Sequence, residues 1–394
     1  MKHIIYRIYL KLHSWKNVIL DSYFTCFKNT IASADLFLIK VDAIGDFVIW
    51  QDSLRAYKKK YAGKKVILLC NQVVLPIALS DPFFFDVWGI DRRKFLFSFS
   101  YRCALLKKIR SYSFNEVVSP VFSREYAYSD RLVKMTIGTS KIGYNGDTSN
   151  ITLKKKQKSD RYYTALIDNP IQFTSELLIN AHFIQQTYDA DFVPCLPFLP
   201  EKKINGIYLK RENKYAVFSL SASYAPRAWD VVSFAEIAKT ILRDYTIVLL
   251  GNGKSDREKG DEFLAHVPNP EKIDNLINKT TIQETVEIIR NSEFVIGNDS
   301  SAVHIAAATR TPSICIAPGA HYNRFVPYPE EVADHFYHPR VVVHQMPCFG
   351  CNYHCKFPVE KQLKCIQNIS VPMVAGKLTE LLNEIQKKEY EKKN

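Results

Sequence analysis

Short, almost wholly apolar runs recur along this chain and alternate with stretches whose apolar positions fall three or four residues apart. The first run, Leu36-Phe37-Leu38-Ile39, reads as a buried strand. It leads through Lys40-Val41-Asp42-Ala43-Ile44-Gly45-Asp46 into an amphipathic helix reaching about Lys60. Strands are predicted at Lys65 to Leu69, Phe85 to Ile90 and Glu116 to Val118, with helices at Leu75 to Leu79 and Leu105 to Arg110. After Gly143 the pattern loosens. Lys154-Lys155-Lys156-Gln157-Lys158 predicts a solvated loop that could touch an anionic acceptor, and Glu176 to Thr187 a helix. Three prolines between Val193 and Pro200 are linker chemistry. A second series then begins: strands at Tyr215 to Ser219, Thr246 to Leu250, Phe294 to Ile296 and Ser313 to Ala317, and helices at Phe234 to Leu242 and Ile282 to Arg290.

Strands alternating with helices imply parallel, doubly wound sheets, and 394 residues exceed one ordinary core. The expected organisation is a basic amphipathic segment at 1–34, a Rossmann-like domain at 35–190 and a linker at 191–212. A second Rossmann-like domain follows at 213–345, then a cysteine-rich loop and C-terminal helix at 346–394. Ligands of such sheets bind beyond the carboxyl ends of the strands, so two such domains are expected to face each other across a cleft.

The net charge of +13 favours acidic partners. Residues 1–34 carry five Lys/Arg against Asp21 alone, with Ile4, Ile8, Leu12, Trp15 and Ile19 at helical spacing. Such a helix either lies on an anionic membrane surface or packs on the first domain. No apolar run approaches the roughly 18 to 20 residues that cross a bilayer, and no cleavable signal is evident. Five of nine cysteines (Cys26, Cys70, Cys103, Cys195, Cys315) are scattered in mostly apolar company, as in reduced cores, so a cytoplasmic setting is expected. Nothing resembles a zinc finger, helix-turn-helix or RNA-binding signature, so nucleic acid is not an expected partner.

Chemistry concentrates at four strand ends. Gly297-Asn298-Asp299-Ser300-Ser301-Ala302-Val303-His304 reads as strand, turn and helix start, where free backbone N–H groups suit a diphosphate or simply accept a cap from Asp299 or Ser300. Asp46, where a strand gives way to a helix, is placed either as a general base or as a carboxylate favoured by the helix dipole. Arg227, before Trp229, could neutralise a diphosphate or stack on that ring. Gly251-Asn252-Gly253 closes a strand and either approaches a nucleotide or only turns. Arg92, Arg93 and Lys94, with Arg102, Lys107, Lys108 and Arg110 and interleaved aromatics, form a basic run suited to an anionic lipid-linked sugar, or a plain solvated face. Cys348, Cys351, Cys355 and Cys365, near His344 and His354, could hold a structural zinc or remain a loop's reduced thiols.

In this order the segments resemble the bacterial heptosyltransferases that use ADP-heptose to build lipopolysaccharide, a family of GT-B fold. The resemblance covers about residues 35–370. It rests on Ile39-Lys40 through Asp46, Arg227-Ala228-Trp229, Leu249 through Gly253, Ile296 through Ser301 with His304, and Thr311-Pro312 through Pro318-Gly319. It implies inverting sugar transfer from a nucleotide sugar, ADP-linked by preference, with no catalytic cofactor. The acceptor would be a lipopolysaccharide core or related glycan at the inner face of the cytoplasmic membrane. By the resemblance Asp46 is the base, and Arg227 stands where the family has a phosphate-holding Lys. Asp299, Ser300 and Ser301 receive the diphosphate, with Gly251, Asn252 and His304 beside the donor. Ser301 departs from the family's Gly, Pro318-Gly319-Ala320 from its Gly-Pro-Thr, and the Ser219–Tyr224 loop from the usual versions, which leaves the donor open. A silent nucleotide-binding scaffold and a nucleotide-sugar epimerase on the same fold are the alternatives.

Overall fold

The computed structural model describes residues 16–26, 30–170, 175–202 and 214–393. The expected apolar stripe at Ile4, Ile8, Leu12 and Trp15, and the linker from 203 to 212, lie outside the described residues. The chain forms two compact units. The first comprises 16–47, 53–170 and 179–192 and the second 48–52, 175–178 and 193–393, within the described residues.

The first unit holds a six-stranded sheet of β1 (Ala32–Lys40), β2 (Val66–Asn71), β3 (Asp86–Ile90), β4 (Tyr112–Ser119), β5 (Ile137–Tyr144) and β6 (Ala165–Ile167). The second holds β7 (Tyr215–Ser219), β8 (Thr246–Leu249), β9 (Ile273–Asn275), β10 (Phe294–Asn298), β11 (Ser313–Ile316) and β12 (Pro339–Val342). Every pairing is parallel. The orders are β3-β2-β1-β4-β5-β6 and β12-β11-β10-β7-β8-β9, so both sheets have one topology. In each the winding reverses between the first and fourth strands, β1 beside β4 and β7 beside β10. Loops diverge there and leave a crevice at the carboxyl edge.

Central strands such as Leu36–Ile39 and Val66–Cys70 are buried on both faces, which is why they read as unbroken apolar runs. Helix starts are fixed locally. Asp230 accepts from the Ser233 N–H at 3.1 Å to cap Val231–Ile241, and Thr281 with Glu284 forms a capping box on Ile282–Arg290. The C-terminal helix, Val371–Lys393, buries Val374, Leu378, Leu381 and Ile385 in the second unit's core.

Several expectations need correction. Lys154–Lys158 is not a loop but lies within a helix, Leu153–Asp160, because Lys156 lays its stem inward and bonds Asn145 and Asp160. β5 and β6 are not among the expected strands: β5 begins before Gly143 and opens with small and polar residues, and β6 falls where the apolar pattern loosens. The helix after β1 is broken by a 3-10 turn at Gln51–Ser53. Cys26 and Cys195 are exposed rather than core residues.

Residues 16–26 are helical, and Leu20 and Phe24 enter the first unit's core. Between them Asp21 is buried, accepting from Arg102 Nε at 3.0 Å and Arg102 Nη2 at 2.6 Å and pairing with Arg131. The described part of the N-terminal segment therefore packs, while Ile19 and Tyr23 face outward. Arg102 and Arg110 are buried too, so the expected basic run is not one continuous surface.

In the second unit the helix Ser301–Ala308 is buried from Ala302 onward. His304 stacks on Tyr328, ring centroids 5.9 Å apart, and its Nδ1 lies 2.9 Å from the Tyr328 hydroxyl. Burial lowers its pKa to about 4.

Asp21→Asn should destabilise the first unit by about 3–5 kcal/mol, since two buried guanidinium groups lose their carboxylate; urea denaturation measures this. The His304 pKa is depressed on folding, so the unfolded chain takes up the proton first. Its contribution is present above the ordinary histidine value, about 6.5, and is lost as pH falls toward 4. His304→Gln should flatten the wild-type decline in denaturation midpoint across that window, and an identical decline would exclude His304 as its source.

Candidate active site

The crevice of the second sheet is built by the loops after β7 and β10. Gly297 sits opposite Ser219 in the register, and a Cβ there would come within 3.2 Å of Ser219 Cβ, so glycine lets the strands meet closely. Asn298, fully buried, ties the loops together. It accepts from the Trp229 N–H at 2.8 Å and donates to the Leu220 carbonyl at 3.0 Å. Next to it, Asp299 receives Arg227 Nη2 twice, on its carbonyl oxygen at 2.6 Å and on Oδ2 at 2.7 Å.

Two local contacts expected as alternatives are not made. Asp299 does not cap the helix; its carboxylate holds Arg227, and Ser300 occupies the cap position without a side-chain cap bond. Arg227 does not stack on Trp229, which is buried with its indole N–H on the Ile369 carbonyl at 2.8 Å. Its guanidinium instead lies 5.6 Å from the Tyr353 ring. Ser301 begins the helix, with its free N–H groups and positive dipole end beside Ser300. His304 is turned into the core, as described above. Gly251-Asn252-Gly253 forms a turn, with the Asn252 N–H donating to Asp256 and the Gly253 N–H to Asn278, both at 2.6 Å.

Residues the sequence did not single out complete this wall. Tyr353 meets His321 edge-on at 4.8 Å and Tyr224 at 5.9 Å, and His321 Nε2 lies 2.6 Å from Asn352 Oδ1. Burial, the largest influence on His321, pushes its pKa down. No local motif marks these positions: Tyr224 follows β7, His321 follows β11, and Asn352 and Tyr353 are reached only after β12.

In the first unit, Asp46 lies half-buried in the first turn of Ile44–Trp50, directly after β1. Just before it Lys40, buried, pairs with Asp42 at 2.7 Å. The neighbouring strand end, after β4, opens a cavity of about 580 Å³ lined by Glu125, Tyr126, Tyr128, Ser149, Asn150 and Lys155 among others. Its tyrosines come from a π-helical turn, Tyr126–Asp130. Arg92 donates to both Glu125 oxygens at 2.7 Å and lies 4.1 Å over the Tyr128 ring. Burial nevertheless raises the Glu125 pKa, against the pull of Arg92. The three expected acceptor residues therefore part company: Arg92 is committed to Glu125, Lys94 is exposed 3.6 Å from Asp91, and Arg93 is exposed.

Cys348, Cys351 and Cys355 share the loop packed beside β11, and Cys365 lies in the short helix Lys364–Gln367 that follows it, all as free thiols. The Cys365 thiol bonds the Gly319 backbone, and burial raises its pKa. Among the described residues no three His, Cys, Asp or Glu side chains are grouped as metal ligands. No described helix is long and apolar enough to cross a membrane.

Comparison with known proteins fits this geometry. The lipooligosaccharide heptosyltransferase 2 of Campylobacter jejuni serotype O:6 is 24% identical over 343 residues, covering 86% of this chain and 96% of that protein. Its serotype O:2 counterpart is 25% identical over 45% of this chain, a match spanning only 54% of the relative. The Escherichia coli heptosyltransferase WaaC, solved with ADP, superposes with a TM-score of 0.63 at 13% identity, over 88% of this chain and 99% of WaaC. Two doubly wound sheets with this likeness make the fold GT-B. The profile of glycosyltransferase family 9 (heptosyltransferase) matches residues 102–337. With well over half of its length matched, the chain belongs to glycosyltransferase family 9 and is a glycosyltransferase.

Proposed function

We propose that this glycosyltransferase transfers heptose from ADP-heptose, with inversion, onto the core of a lipopolysaccharide or a related lipid-linked glycan. The observation that carries the reading is the Arg227–Asp299 pair at the N-terminus of Ser301–Ala308, a fixed cation beside free backbone N–H groups. A diphosphate leaving group fits that chemistry. Asp46 takes the proton from an acceptor hydroxyl as its oxygen attacks the anomeric carbon. The bond from that carbon to the diphosphate oxygen breaks on the opposite face, and the configuration inverts. Negative charge growing on the diphosphate falls on Arg227 and the amides of Ser300 and Ser301, so the step requires no metal. Gly251 and Asn252, at the end of the neighbouring strand, lie toward the nucleotide. WaaC was solved with ADP, which supports an adenine donor.

The cavity after β4 suits the acceptor glycan, with tyrosine faces for the sugar ring and Glu125, Ser149 and Asn150 for its hydroxyls. Arg92 acts there by holding Glu125, while Arg93, Lys94 and Lys155 remain for an anionic substituent. The net charge and the outward Ile19 and Tyr23 support work at the inner face of the cytoplasmic membrane.

Asp46→Asn should leave ADP affinity unchanged while lowering kcat about 10²- to 10⁴-fold with ADP-heptose and an acceptor glycan; undiminished turnover removes Asp46 as base. Arg227→Ala should weaken ADP binding roughly 10- to 100-fold by calorimetry, and Arg227→Lys should recover part of it. Wild-type protein that neither binds ADP nor consumes ADP-heptose would overturn the reading in favour of a silent scaffold.

A further inference from the structure

The cysteine-rich loop is seated against the segment after β11 by several independent contacts. The Gly350 N–H donates to the Gly319 carbonyl at 2.8 Å and the Asn352 N–H to the Ala320 carbonyl at 3.2 Å. Phe349 packs so closely on Gly319 that a Cβ there would lie 2.2 Å from its ring. The far end of the loop is fastened to the loop after β7, with the Leu363 N–H on the Pro226 carbonyl at 2.9 Å and Gln362 on the Ala228 carbonyl at 2.8 Å. Both anchors adjoin the loops that carry Arg227 and the helix start.

At the turn of the loop, Asn352 and Tyr353 have φ of 47° and 61°, the left-handed region that side chains rarely adopt. Two successive residues are held there, the second with a bulky ring. Strain of this kind persists where the surroundings impose it and gathers at ligand sites. The result is that Tyr353 is set against Arg227, His321 and Tyr224 at the distances given above. Its hydroxyl is buried without a hydrogen-bond partner among the described residues, and so are Arg227 Nε, Ser300 Oγ and Ser221 Oγ. Four unsatisfied polar atoms on the elements of one crevice are costly unless a ligand supplies their partners. Each can donate a hydrogen bond, and a ligand that accepts from all of them is rich in oxygen and poor in donors.

We propose that Tyr353 is a donor-binding residue, its hydroxyl and Arg227 Nε donating hydrogen bonds to the diphosphate of the nucleotide sugar. The inference rests on the donor reading above and adds the cysteine-rich loop to the donor site. The loop's role is thereby to present one tyrosine, with Gly319, Asn352 and the thiol of Cys365 holding it in place.

The test is calorimetry of the full chain with ADP, comparing wild type, Tyr353→Phe and Tyr353→Asn. Phe keeps the ring beside Arg227 and removes only the hydroxyl; Asn tolerates the left-handed backbone and removes the ring. Tyr353→Phe should weaken ADP binding about tenfold, as expected for a hydrogen bond to a charged group. It should also raise the KM for ADP-heptose by a similar factor, with the ligand-free melting temperature little changed. Tyr353→Asn should lose at least as much. Equal ADP affinity in wild type and Tyr353→Phe overturns the inference and leaves the donor reading intact. Wild type that binds no ADP defeats the donor reading itself. A loss of the same size for adenosine, which has no phosphate, overturns the assignment to the diphosphate.

Discussion

The second unit's site depends on two consecutive side chains, Asn298 and Asp299. One is neutral and fully buried and bridges the Trp229 amide and the Leu220 carbonyl; the other is anionic and receives Arg227 on two of its oxygens. Together they fasten the loop after β7 to the end of β10, the place where the strand order reverses. They join the long loop from Ser219 to Trp229 directly to the turn that precedes the helix beginning at Ser301. Topology supplies the crevice, and these two side chains give it defined chemistry.

The same topology, used twice, serves different ends. Beyond β1 the first unit sets a carboxylate, Asp46, and beyond β4 it opens a cavity whose acid, the half-buried Glu125, is paired with Arg92. Beyond β7 and β10 the second unit sets a cation and free amides. The first arrangement suits a proton acceptor with a hydroxyl-bearing ligand, and the second suits an anion.

The alternation of apolar runs made most of the strands legible, because parallel strands covered on both faces admit few polar residues. It failed for β5, whose Ile137-Gly138-Thr139-Ser140-Lys141 opens with small and polar residues, and Lys141 spends its ammonium on the Val133 and Thr136 carbonyls. It failed again at Leu153–Asp160, where a lysine-rich string conceals a helix whose inward face is the stem of Lys156. Asp46, Arg227 and Ser300 could be singled out as candidates from the sequence because each lies in the segment that follows an apolar run. Tyr353 could not, since it lies 126 positions from Arg227 and reaches it only through the return of the chain after β12. The cysteines nearby drew attention to metal chemistry, whereas in the fold they flank a tyrosine. The N-terminal stripe held two roles open, and its described part packs because Asp21 finds two arginines whose positions the sequence does not reveal.

The Arg227–Asp299 pair has a consequence for how a ligand is captured. Because Asp299 offsets the charge of Arg227 before anything binds, that pair is close to electroneutral, and the chain's excess of positive charge is not focused on it. An arginine so restrained has surrendered its rotamer freedom during folding, so little is left to lose when a ligand arrives. Affinity at such a place comes from fit rather than from long-range attraction, and added salt, which screens the rest of a basic surface, should weaken it little.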